Sequence, residues 1–378
     1  YVMIKRITIA FDSFKGSLAS CEVAAAFASG LRSAVPGVQV VALPIADGGE
    51  GTLSALIETM GGEWRIVEAS DPIGRPIVVR YGVAGGRAII ESATASGLTL
   101  LSNEERNPLN TTTYGLGEVI RSALDSGHRD FIITLGGSAT NDGGVGMLQA
   151  LGYRFYDSYG NELRGGGKIL DKIAKIDCQG AHRALGESRF TIASDVDNPL
   201  LGDQGATRIY SPQKGADSAM VELLERGMAN YAEQVQKTLN KDFSNAKGAG
   251  AAGGLGYALL AFMGATMHPG IDIVIEATGL RERAKACDII ITGEGRLDRQ
   301  TTMGKAPGGI LRIAQELGKP VIAVGGTIAH CKELDNSAFE ALYAITPEGM
   351  SLDEAMQSEV AKENLLRCAQ RIAKDYHR

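Results

Sequence analysis

Short apolar segments alternate with helix-like segments at both ends of this sequence, and this alternation constrains the fold more than any other feature. The predicted segments are strands at 7–12, 38–44 and 64–69 with helices at 21–35 and 51–61, then strands at 288–293, 320–326 and 341–346 with a helix at 308–318. Continuous apolar strands separated by helices are typical of a parallel sheet that is covered on both faces. The sequence therefore predicts an α/β fold in which both termini contribute to one parallel sheet.

The middle of the sequence has a different pattern. Residues 77–92 read as two strands joined by a Gly85-Gly86 turn, so a hairpin is predicted where the ends predict only crossovers. We therefore predict one discontinuous domain, 1–72 with 285–378, and an inserted mixed α/β domain at 73–284. The cleft between two such domains is the default place for a ligand.

Composition narrows the class of partner. The 38 basic and 44 acidic residues give a net charge of −6, and they form no basic stripe of the kind that nucleic-acid binding requires. No apolar segment approaches the ~20 residues needed to cross a bilayer. We therefore expect neither nucleic acid nor membrane as a partner, and a small anion would be held by a few individually placed cations.

The cysteines suggest a reducing compartment. There are five, an odd number, and they form no C-x-x-C pair, so neither a disulfide framework nor a zinc site is predicted. We therefore expect a cytoplasmic location.

The first predicted strand ends in a loop that carries several functional groups. Asp12, Ser13 and Lys15 follow it directly, at the position where open α/β sheets bind ligands. Capping of the next helix by Ser20 is the simpler alternative, but it explains neither the aspartate nor the lysine.

The second predicted strand ends in Asp47-Gly48-Gly49-Glu50-Gly51, immediately before a helix. Glycines permit close approach of a ligand to the backbone, and a helix amino terminus offers unpaired N–H groups. A tight turn in which Glu50 complements the helix dipole is an equally good interpretation.

A glycine-rich loop at 136–144 follows the predicted strand 131–135. It combines four glycines with hydroxyl and amide side chains, and the candidate binding residues are Gly137, Ser138, Thr140, Asn141 and Gly143. Many backbone N–H groups in such a loop can point at one spot, so we predict a phosphate cradle. A helix-capping turn is the alternative.

Two aspartates stand two residues apart after another predicted strand. Asp195 and Asp197 would lie on the same side if the strand continued through them. Paired carboxylates suit Mg²⁺, and a single one could orient or deprotonate an attacking hydroxyl. Hydrogen-bonded turn formation before Pro199 is the alternative.

Two further loops offer weaker candidates. Lys214 precedes a glycine, and a strand-end segment gathers Glu294, Arg296 and Asp298. Each could contact an anion or a metal, although charged loops after strands are common.

Common nucleotide-binding and catalytic motifs are absent or misplaced. A G-x-G-x-x-G match at 248–253 follows a polar segment rather than a strand, and no Walker A motif or G-x-S-x-G elbow occurs. The five histidines are scattered and show no metal-ligand spacing. An ordinary P-loop kinase is therefore excluded.

Eight motifs in one order closely resemble those of the bacterial glycerate kinases of the first type. They are DSFKGS (12–17), ADGGEGT (46–52), RNPLNTTTYGLGE (106–118), GGSATNDGG (136–144), DVDNPL (195–200), PQKGA (212–216), GAGAAGGLG (248–256) and TGEGRLDRQT (292–301). The resemblance implies an ATP-dependent kinase for D-glycerate and, by likeness to enteric members, phosphorylation of the 2-hydroxyl to give 2-phosphoglycerate. It also implies a Rossmann-like parallel-sheet domain formed by both termini, plus an inserted mixed α/β domain.

On this resemblance the candidate residues receive roles. Lys15 and Lys214 would neutralise phosphate or glycerate carboxylate charge, and Asp195 would orient or deprotonate the hydroxyl. Arg296 would bind the glycerate carboxylate through its bidentate fork. The predicted Mg²⁺ ligands are drawn from Asp47, Asp197 and Asp298.

Two other functions stay open at this point. One is an NAD-dependent dehydrogenase of small hydroxy acids, and the other is a hydroxy-acid sensor without catalytic activity. The misplaced G-x-G-x-x-G match argues against the first, and the absence of a recognisable DNA-binding or partner-binding module argues against the second. The sequence gives no support for a particular oligomeric state.

Overall fold

A computed structural model describes residues 5–46, 52–302 and 305–376. The described chain divides into two compact units. The terminal unit comprises residues up to 46, 54–60 and 269 onward, and the central unit comprises 52–53 and 61–268. No helix in the described ranges combines the length and apolarity that a membrane-spanning helix needs.

The strands, in chain order, are β1 (Arg6–Phe11), β2 (Gln39–Pro44), β3 (Glu63–Ser70), β4 (Pro76–Ala84), β5 (Arg87–Glu91), β6 (Asp130–Thr134), β7 (Arg154–Tyr156), β8 (Lys175–Asp177), β9 (Arg189–Ala193), β10 (Thr266–His268), β11 (Ile289–Leu297), β12 (Val321–Ile328) and β13 (Ala341–Ala344).

The α-helices are α1 (Ser20–Ala34), α2 (Thr52–Thr59), α3 (Ala93–Ser96), α4 (Tyr114–Asp125), α5 (Val145–Ala150), α6 (Ala206–Tyr210), α7 (Ser218–Leu239), α8 (Ala251–Met263), α9 (Gly270–Thr278), α10 (Leu280–Lys285), α11 (Ala306–Leu317), α12 (Lys332–Asp335), α13 (Leu352–Ala355) and α14 (Ser358–Tyr376). Short 3₁₀ turns occur at Leu98–Leu100, Gly167–Lys172, Arg183–Glu187, Pro212–Lys214 and Arg299–Thr302.

The terminal unit contains a five-stranded sheet in the order β13-β12-β11-β1-β2, and every neighbouring pair is parallel. Ile7 of β1 lies between Ile289 of β11 and Val40 of β2, so strands from both ends of the chain are direct neighbours. The predicted α/β class, with a parallel sheet formed by both termini, is confirmed.

Helices α1 and α14 pack together beside this sheet and bury its apolar residues. Their contact is close because α1 carries Gly30, where an added Cβ would lie 2.5 Å from the carbonyl oxygen of Leu366. Side chains such as Phe11, Phe27 and Leu31 are fully buried there. This packing fixes the position of β1 and therefore of the loop that follows it.

The strand order reverses between β1 and β11. From β1 the chain moves to β2 on one side, whereas from β11 it moves to β12 and β13 on the other. In open parallel sheets such a reversal leaves a crevice outside the carboxyl ends of the two strands, and ligands bind there. The fold therefore marks the carboxyl ends of β1 and β11 before any side chain is considered.

The central unit contains a six-stranded mixed sheet in the order β10-β9-β6-β5-β4-β3. The predicted hairpin is confirmed, since β4 and β5 are antiparallel on either side of Gly85 and Gly86. Strands β5, β6, β9 and β10 are parallel to one another. A separate antiparallel pair, β7 and β8, completes the strands of this unit.

Strand β3 differs from the sequence prediction, which grouped it with the amino-terminal alternation. It pairs antiparallel with β4 at the edge of the central sheet. Only Ala69 of its eight residues is buried, whereas a strand of a covered parallel sheet is buried on both faces. Apart from residues 52–53, the central unit consequently begins at residue 61, whereas the predicted boundary lay at 72/73.

The second boundary also differs. Helices α9 and α10 belong to the terminal unit, which resumes at residue 269 rather than at 285. The physical reason is the packing of α9 on α11, where a Cβ added to Gly309 would lie 2.5 Å from Cγ1 of Ile271.

Candidate active site

A cavity of about 450 Å³ opens in the terminal unit beside the carboxyl ends of β1 and β11. Its lining comes from the loop after β1, from β11 and β12, from the residue before α11 and from the segment after β13. The lining residues are Asp12, Ser13, Phe14, Lys15, Ser17, Glu294, Gly295, Arg296, Lys305, Gly326, Thr327, Ile345, Thr346, Leu352, Ala355 and Met356. The cavity thus lies at the reversal of strand order, where a ligand is expected.

The loop after β1 brings three of the predicted residues, Asp12, Ser13 and Lys15, into this cavity. Asp12 is 4% exposed, and its Oδ1 accepts a hydrogen bond from the Ser13 amide at 2.6 Å. Its own amide donates to the carbonyl of Gly293 in β11 at 2.9 Å. The buried aspartate therefore links the two strands, while the neighbouring Lys15 is exposed.

The alternative role of this loop as a simple helix cap is not observed. Helix α1 already includes Ser20, and its cap residue is Ala19, whose amide donates to the Glu22 carboxylate at 3.1 Å. The start of α1 therefore does not account for Asp12 or Lys15.

Strand β11 is longer than its predicted end at residue 293, and it continues to Leu297. The glycines of this segment suggested a loop, but they allow close approach to β12. A Cβ added to Gly293 would lie 1.9 Å from the carbonyl oxygen of Val324, and one added to Gly326 would lie 2.3 Å from that of Gly295. Glu294 and Arg296 consequently project from a strand with a fixed hydrogen-bond register.

Glu294 and Lys305 form an ion pair that the sequence did not predict. The Glu294 carboxylate is nearly buried; its Oε1 accepts from the Thr301 hydroxyl at 2.7 Å, and its Oε2 is 3.2 Å from Nζ of Lys305. Burial raises the pKa of the Glu294 carboxyl. The available signal for Lys305 was its position directly before Ala306-Pro307, because proline in the first turn is typical of a helix start.

Arg296 lines the cavity, as its predicted ligand role requires, and most of its side chain is exposed. The carboxylate of Asp298, by contrast, contacts groups of its own segment. Its Oδ1 accepts from the Gln300 amide at 2.8 Å, and its Oδ2 lies 3.9 Å from Nε of Arg296. Asp298 therefore starts the short 3₁₀ turn at 299–302, and its role as a metal ligand stays a prediction.

In the central unit, the glycine-rich loop 136–144 connects β6 to α5, and most of it is buried. Only Gly136 and Gly137 have appreciable exposure, whereas residues 138–144, which include Thr140 and Gly143, are buried. The amides of Ala139, Gly143 and Gly144 already donate to protein acceptors. Of the predicted cradle, only these first two glycines are exposed, and its role as a phosphate site stays a prediction.

The segment that covers this loop is the one with the misplaced G-x-G-x-x-G match. Ala252, Gly253 and Gly254 adopt left-handed backbone conformations at the start of α8. A Cβ added to Gly253 would lie 2.1 Å from the carbonyl oxygen of Thr140. These glycines are required by packing against the loop, which agrees with the rejection of a dinucleotide site.

Asp142 anchors the loop, and sequence reasoning did not single it out. Its Oδ2 accepts from the Thr113 amide at 2.8 Å, from the Thr113 hydroxyl at 2.9 Å and from the Gly146 amide at 3.1 Å. Burial raises the pKa of the Asp142 carboxyl. The donors around it are the ordinary means by which a buried carboxylate is satisfied.

Lys214 is also inside this network. It is only 1% exposed, and its Nζ donates to Oγ of Ser138 at 2.9 Å and to the carbonyl oxygen of Thr140 at 2.6 Å. Burial lowers the pKa of the Lys214 ammonium to about 7. The structure thus joins Lys214 to two predicted loop residues, Ser138 and Thr140.

Asn141 is held on the same buried side of the loop. Its Nδ2 donates to the Thr207 hydroxyl at 3.1 Å. In the described part of the chain its Oδ1 has no hydrogen-bond partner, and neither has Oγ1 of Thr140. These two oxygens are the unsatisfied acceptors of the network.

Asp195 and Asp197 lie beyond the end of β9, which stops at Ala193. The alternation that would have placed them on one side therefore does not reach them. Both residues are exposed, and Oδ2 of Asp197 lies 3.4 Å from Nζ of Lys247. Their catalytic and metal roles stay predictions.

Three predicted residues, Asp47, Gly48 and Gly49, lie outside the described residues.

Comparisons with known proteins place the chain among relatives of one kind. Residues 7–377 match the model of the glycerate kinase family. The chain is 44% identical over 373 residues to a glycerate kinase from Bacillus subtilis, and 43% identical over 371 residues to a glycerate 2-kinase from Escherichia coli K12; each match covers 97% of both chains. A crystal structure described as a candidate glycerate kinase 2 from Salmonella typhimurium LT2 is 42% identical, with a TM-score of 0.89 over 98% of both chains.

Proposed function

The chain belongs to the glycerate kinase family, and on that premise we propose that it transfers the terminal phosphoryl group of ATP to the 2-hydroxyl of D-glycerate. The products would be 2-phosphoglycerate and ADP. Family membership makes the chain a kinase, a transferase that uses an alcohol group as acceptor. The choice of hydroxyl rests on the similarity to the glycerate 2-kinase.

The observation that carries this proposal is the group of cations around the terminal-unit cavity. Lys15, Arg296 and Lys305 all line it at the reversal of strand order. Phosphoryl transfer needs little covalent chemistry from the protein, so catalysis consists mainly of positioning and of neutralising charge on the transferred oxygens. Three cations at one edge of a sheet supply that neutralisation.

Individual roles follow from side-chain chemistry. Lys15 and Lys305 are point charges suited to phosphate oxygens, while the planar guanidinium of Arg296 suits a carboxylate or a phosphate in bidentate fashion. Asp195 keeps its proposed role of orienting or deprotonating the acceptor hydroxyl. The burial of Lys214 favours a positioning role, in which its ammonium holds Ser138 and Thr140 in place.

We also propose Mg²⁺ as the partner of ATP. Among the described residues no group of three or more His, Cys, Asp or Glu side chains could hold a metal by itself. Mg²⁺ in kinases needs only one or two carboxylates, because phosphate oxygens and water complete its octahedron. Asp12, a carboxylate that lines the cavity, fits that requirement, and Mg²⁺ would neutralise phosphate charge there.

The test is a product assay on the full chain. With ATP, Mg²⁺ and D-glycerate we expect ADP release, and phosphorus NMR of the product should show the phosphate on the 2-oxygen. Formation of 3-phosphoglycerate would overturn the choice of hydroxyl, and undiminished activity after exhaustive removal of divalent cations would overturn the metal. NADH formation, or glycerate binding without ADP release, would support the dehydrogenase or the sensor instead.

A cytoplasmic location is proposed as well. None of the five cysteines, all of which lie within the described ranges, forms a disulfide, as expected for a reducing compartment. Cell fractionation with an antibody against the chain tests this, and recovery outside the cytoplasmic fraction would contradict it.

A further inference from the structure

Strands β3 and β4 form an antiparallel ribbon at one edge of the central sheet. They pair in an unbroken register along all eight residues of β3, and residues that lie opposite each other share a face of the ribbon. One face packs on the unit through the buried Ala69, Val79 and Tyr81. We call the other the outer face, and it carries the alternate residues Trp64, Ile66, Glu68, Ser70, Pro76, Val78, Arg80 and Gly82.

The outer face is more apolar than a solvent-exposed face of a sheet usually is. Ile66 is 76% exposed and Val78 is 70% exposed, and they are diagonal neighbours on the two strands. An antiparallel sheet with one wet face usually alternates apolar inward residues with polar outward residues, whereas strands covered on both faces are apolar on both. Single exposed apolar residues are ordinary, but an adjacent pair on one face indicates that a partner covers it.

Two opposite charges lie beside this apolar pair. Arg80 is opposite Ile66 and Glu68 is opposite Val78, so the four residues form a rectangle with the apolar residues on one diagonal and the charges on the other. The guanidinium carbon of Arg80 lies 4.1 Å from the ring centroid of Trp64. Within the described ranges no ion pair engages Arg80 or Glu68. Both charges are therefore available to a partner.

We infer that the outer face binds the outer face of a second copy of this chain, about a two-fold axis that runs along the diagonal through Ile66 and Val78. In that arrangement each of the two apolar residues meets its own counterpart, and Arg80 of each copy lies opposite Glu68 of the other. Strands are spaced by about 4.8 Å and every second residue by about 6.8 Å, so the diagonal lies about 35° from the strands and the two sheets cross at about 70°. This angle is close to the orthogonal class of sheet packing.

The charge pattern is the reason for choosing a second copy as the partner. A two-fold axis along or across the strands would place Ile66 against a charged residue, and an axis along the other diagonal would place each Arg80 against its counterpart. Only the axis through Ile66 and Val78 satisfies all four residues at once. The outer face is therefore its own complement, as a two-fold interface between identical chains requires. This inference does not depend on the proposed kinase function.

The experiment is sedimentation velocity of the full chain over a range of concentrations. The wild type should dimerise with a Kd on the order of 10 µM, because a face this small lies at the lower end of specific interface sizes. Arg80→Glu and Glu68→Arg should each raise that Kd by on the order of tenfold or more, since like charges then oppose each other across the interface. The double variant, with both changes, restores opposite charges and should dimerise about as tightly as the wild type. All of these side chains are exposed, so the folded state should tolerate the changes.

Matched controls come from the same unit. Arg183→Glu reverses an exposed arginine outside the outer face and should leave the Kd unchanged. Ile66→Ser should raise the Kd by on the order of tenfold through lost apolar contact, whereas Tyr159→Ser, at a tyrosine that is 90% exposed elsewhere in the unit, should not.

Tryptophan fluorescence gives a second measurement, because the single tryptophan, Trp64, belongs to the outer face. Its emission should shift to longer wavelength as the wild type is diluted through the Kd, and it should not depend on concentration in Arg80→Glu. A wild-type chain that stays monomeric well above the expected Kd would overturn the inference and leave the outer face to a different partner. A dimer that persists equally in Arg80→Glu and Glu68→Arg would place the contact on another surface and would overturn it as well.

Discussion

The loop after β1 and the loop after β6 look alike in sequence but differ in structure. Each follows an apolar parallel strand and combines glycine with charged and hydroxyl side chains. In the terminal unit the loop opens on a cavity, and its Lys15 is exposed. In the central unit the loop is buried, and its charged partner Lys214 is 1% exposed.

The difference shows that such a motif can serve either a ligand or the protein itself. Around the central loop, protein groups already occupy many of the donors and acceptors, including the Asp142 carboxylate and the Lys214 ammonium. Around the terminal loop, cations from β11 and from the start of α11 face a space that can receive an anion. What packs over a loop therefore decides its role, and that information is remote in sequence.

The comparison predicts its largest effect on catalysis at Lys15. Lys15→Ala should reduce kcat/KM by on the order of 10²-fold or more, because a cation placed to neutralise phosphate acts in the transition state. The denaturation midpoint should not move, since the side chain is exposed. Steady-state kinetics and guanidinium denaturation measure the two quantities.

The matched control for that variant is Lys332→Ala, an exposed lysine of the same unit in α12 that does not line the cavity. Its activity should equal that of the wild type. Near-normal turnover of Lys15→Ala would show that Lys15 does not act in catalysis.

The next effect should fall on stability in the central unit. Gly253→Ala places a Cβ 2.1 Å from the Thr140 carbonyl oxygen at a φ of +68°, so overpacking should destabilise the unit by roughly 2–3 kcal/mol. Gly264→Ala is the control, because its φ is +59° but nothing lies within 4 Å of the added Cβ. It should cost only about 1 kcal/mol of backbone strain.

Fluorescence can follow this unit selectively, because the single tryptophan, Trp64, belongs to β3 of the central unit. Equal shifts of the denaturation midpoint in Gly253→Ala and Gly264→Ala would mean that close packing of α8 over the loop 136–144 does not stabilise the central unit.

A smaller effect on catalysis is expected at Glu294. Glu294→Gln keeps an acceptor for the Thr301 hydroxyl but removes the charge that pairs with Lys305, so the lysine should be less well placed for phosphate. We expect a loss of about tenfold in kcat/KM, which is near the value of one charge-assisted hydrogen bond. As single changes in the wild-type chain, Thr301→Ser preserves the hydroxyl and should retain nearly full activity, whereas Thr301→Val should lose activity. Equal rates in these two variants would contradict the role of the Thr301–Glu294 hydrogen bond in placing Lys305.

Much of this architecture was predictable from sequence, and the exceptions have physical causes. Apolar alternation identified the parallel sheet of the terminal unit, because burial on both faces leaves a continuous apolar pattern. The same criterion grouped β3 with the terminal strands, whereas β3 pairs with β4 in the central sheet. It also ended β11 early, because glycines that permit close strand approach are indistinguishable from turn glycines in a single sequence.

Among the residues that line the terminal-unit cavity, sequence reasoning singled out Asp12, Lys15 and Arg296 because they directly follow or occupy predicted strand ends, and their functional roles stay predictions. Lys305 was missed because it precedes a helix rather than following a strand, and reaches Glu294 only through the tertiary fold. The burial of Lys214 was equally inaccessible, since the hydrogen bonds of its ammonium join segments more than 70 residues apart.

The comparison also predicts a pH dependence of stability that originates at Lys214. The ordinary pKa of a lysine is 10.5, and burial lowers that of Lys214 to about 7 in the folded chain. Between these values the unfolded chain binds the proton and the folded chain does not, so stability should rise as pH increases from about 7 toward 10.5. Lys214→Met should remove this increment, whereas the exposed-lysine variant Lys241→Met should retain it. The measurement is the Trp64-detected denaturation midpoint at pH 7 and at pH 9.5, and the same pH-dependent rise in Lys214→Met as in the wild type would show that the buried amine is not its source.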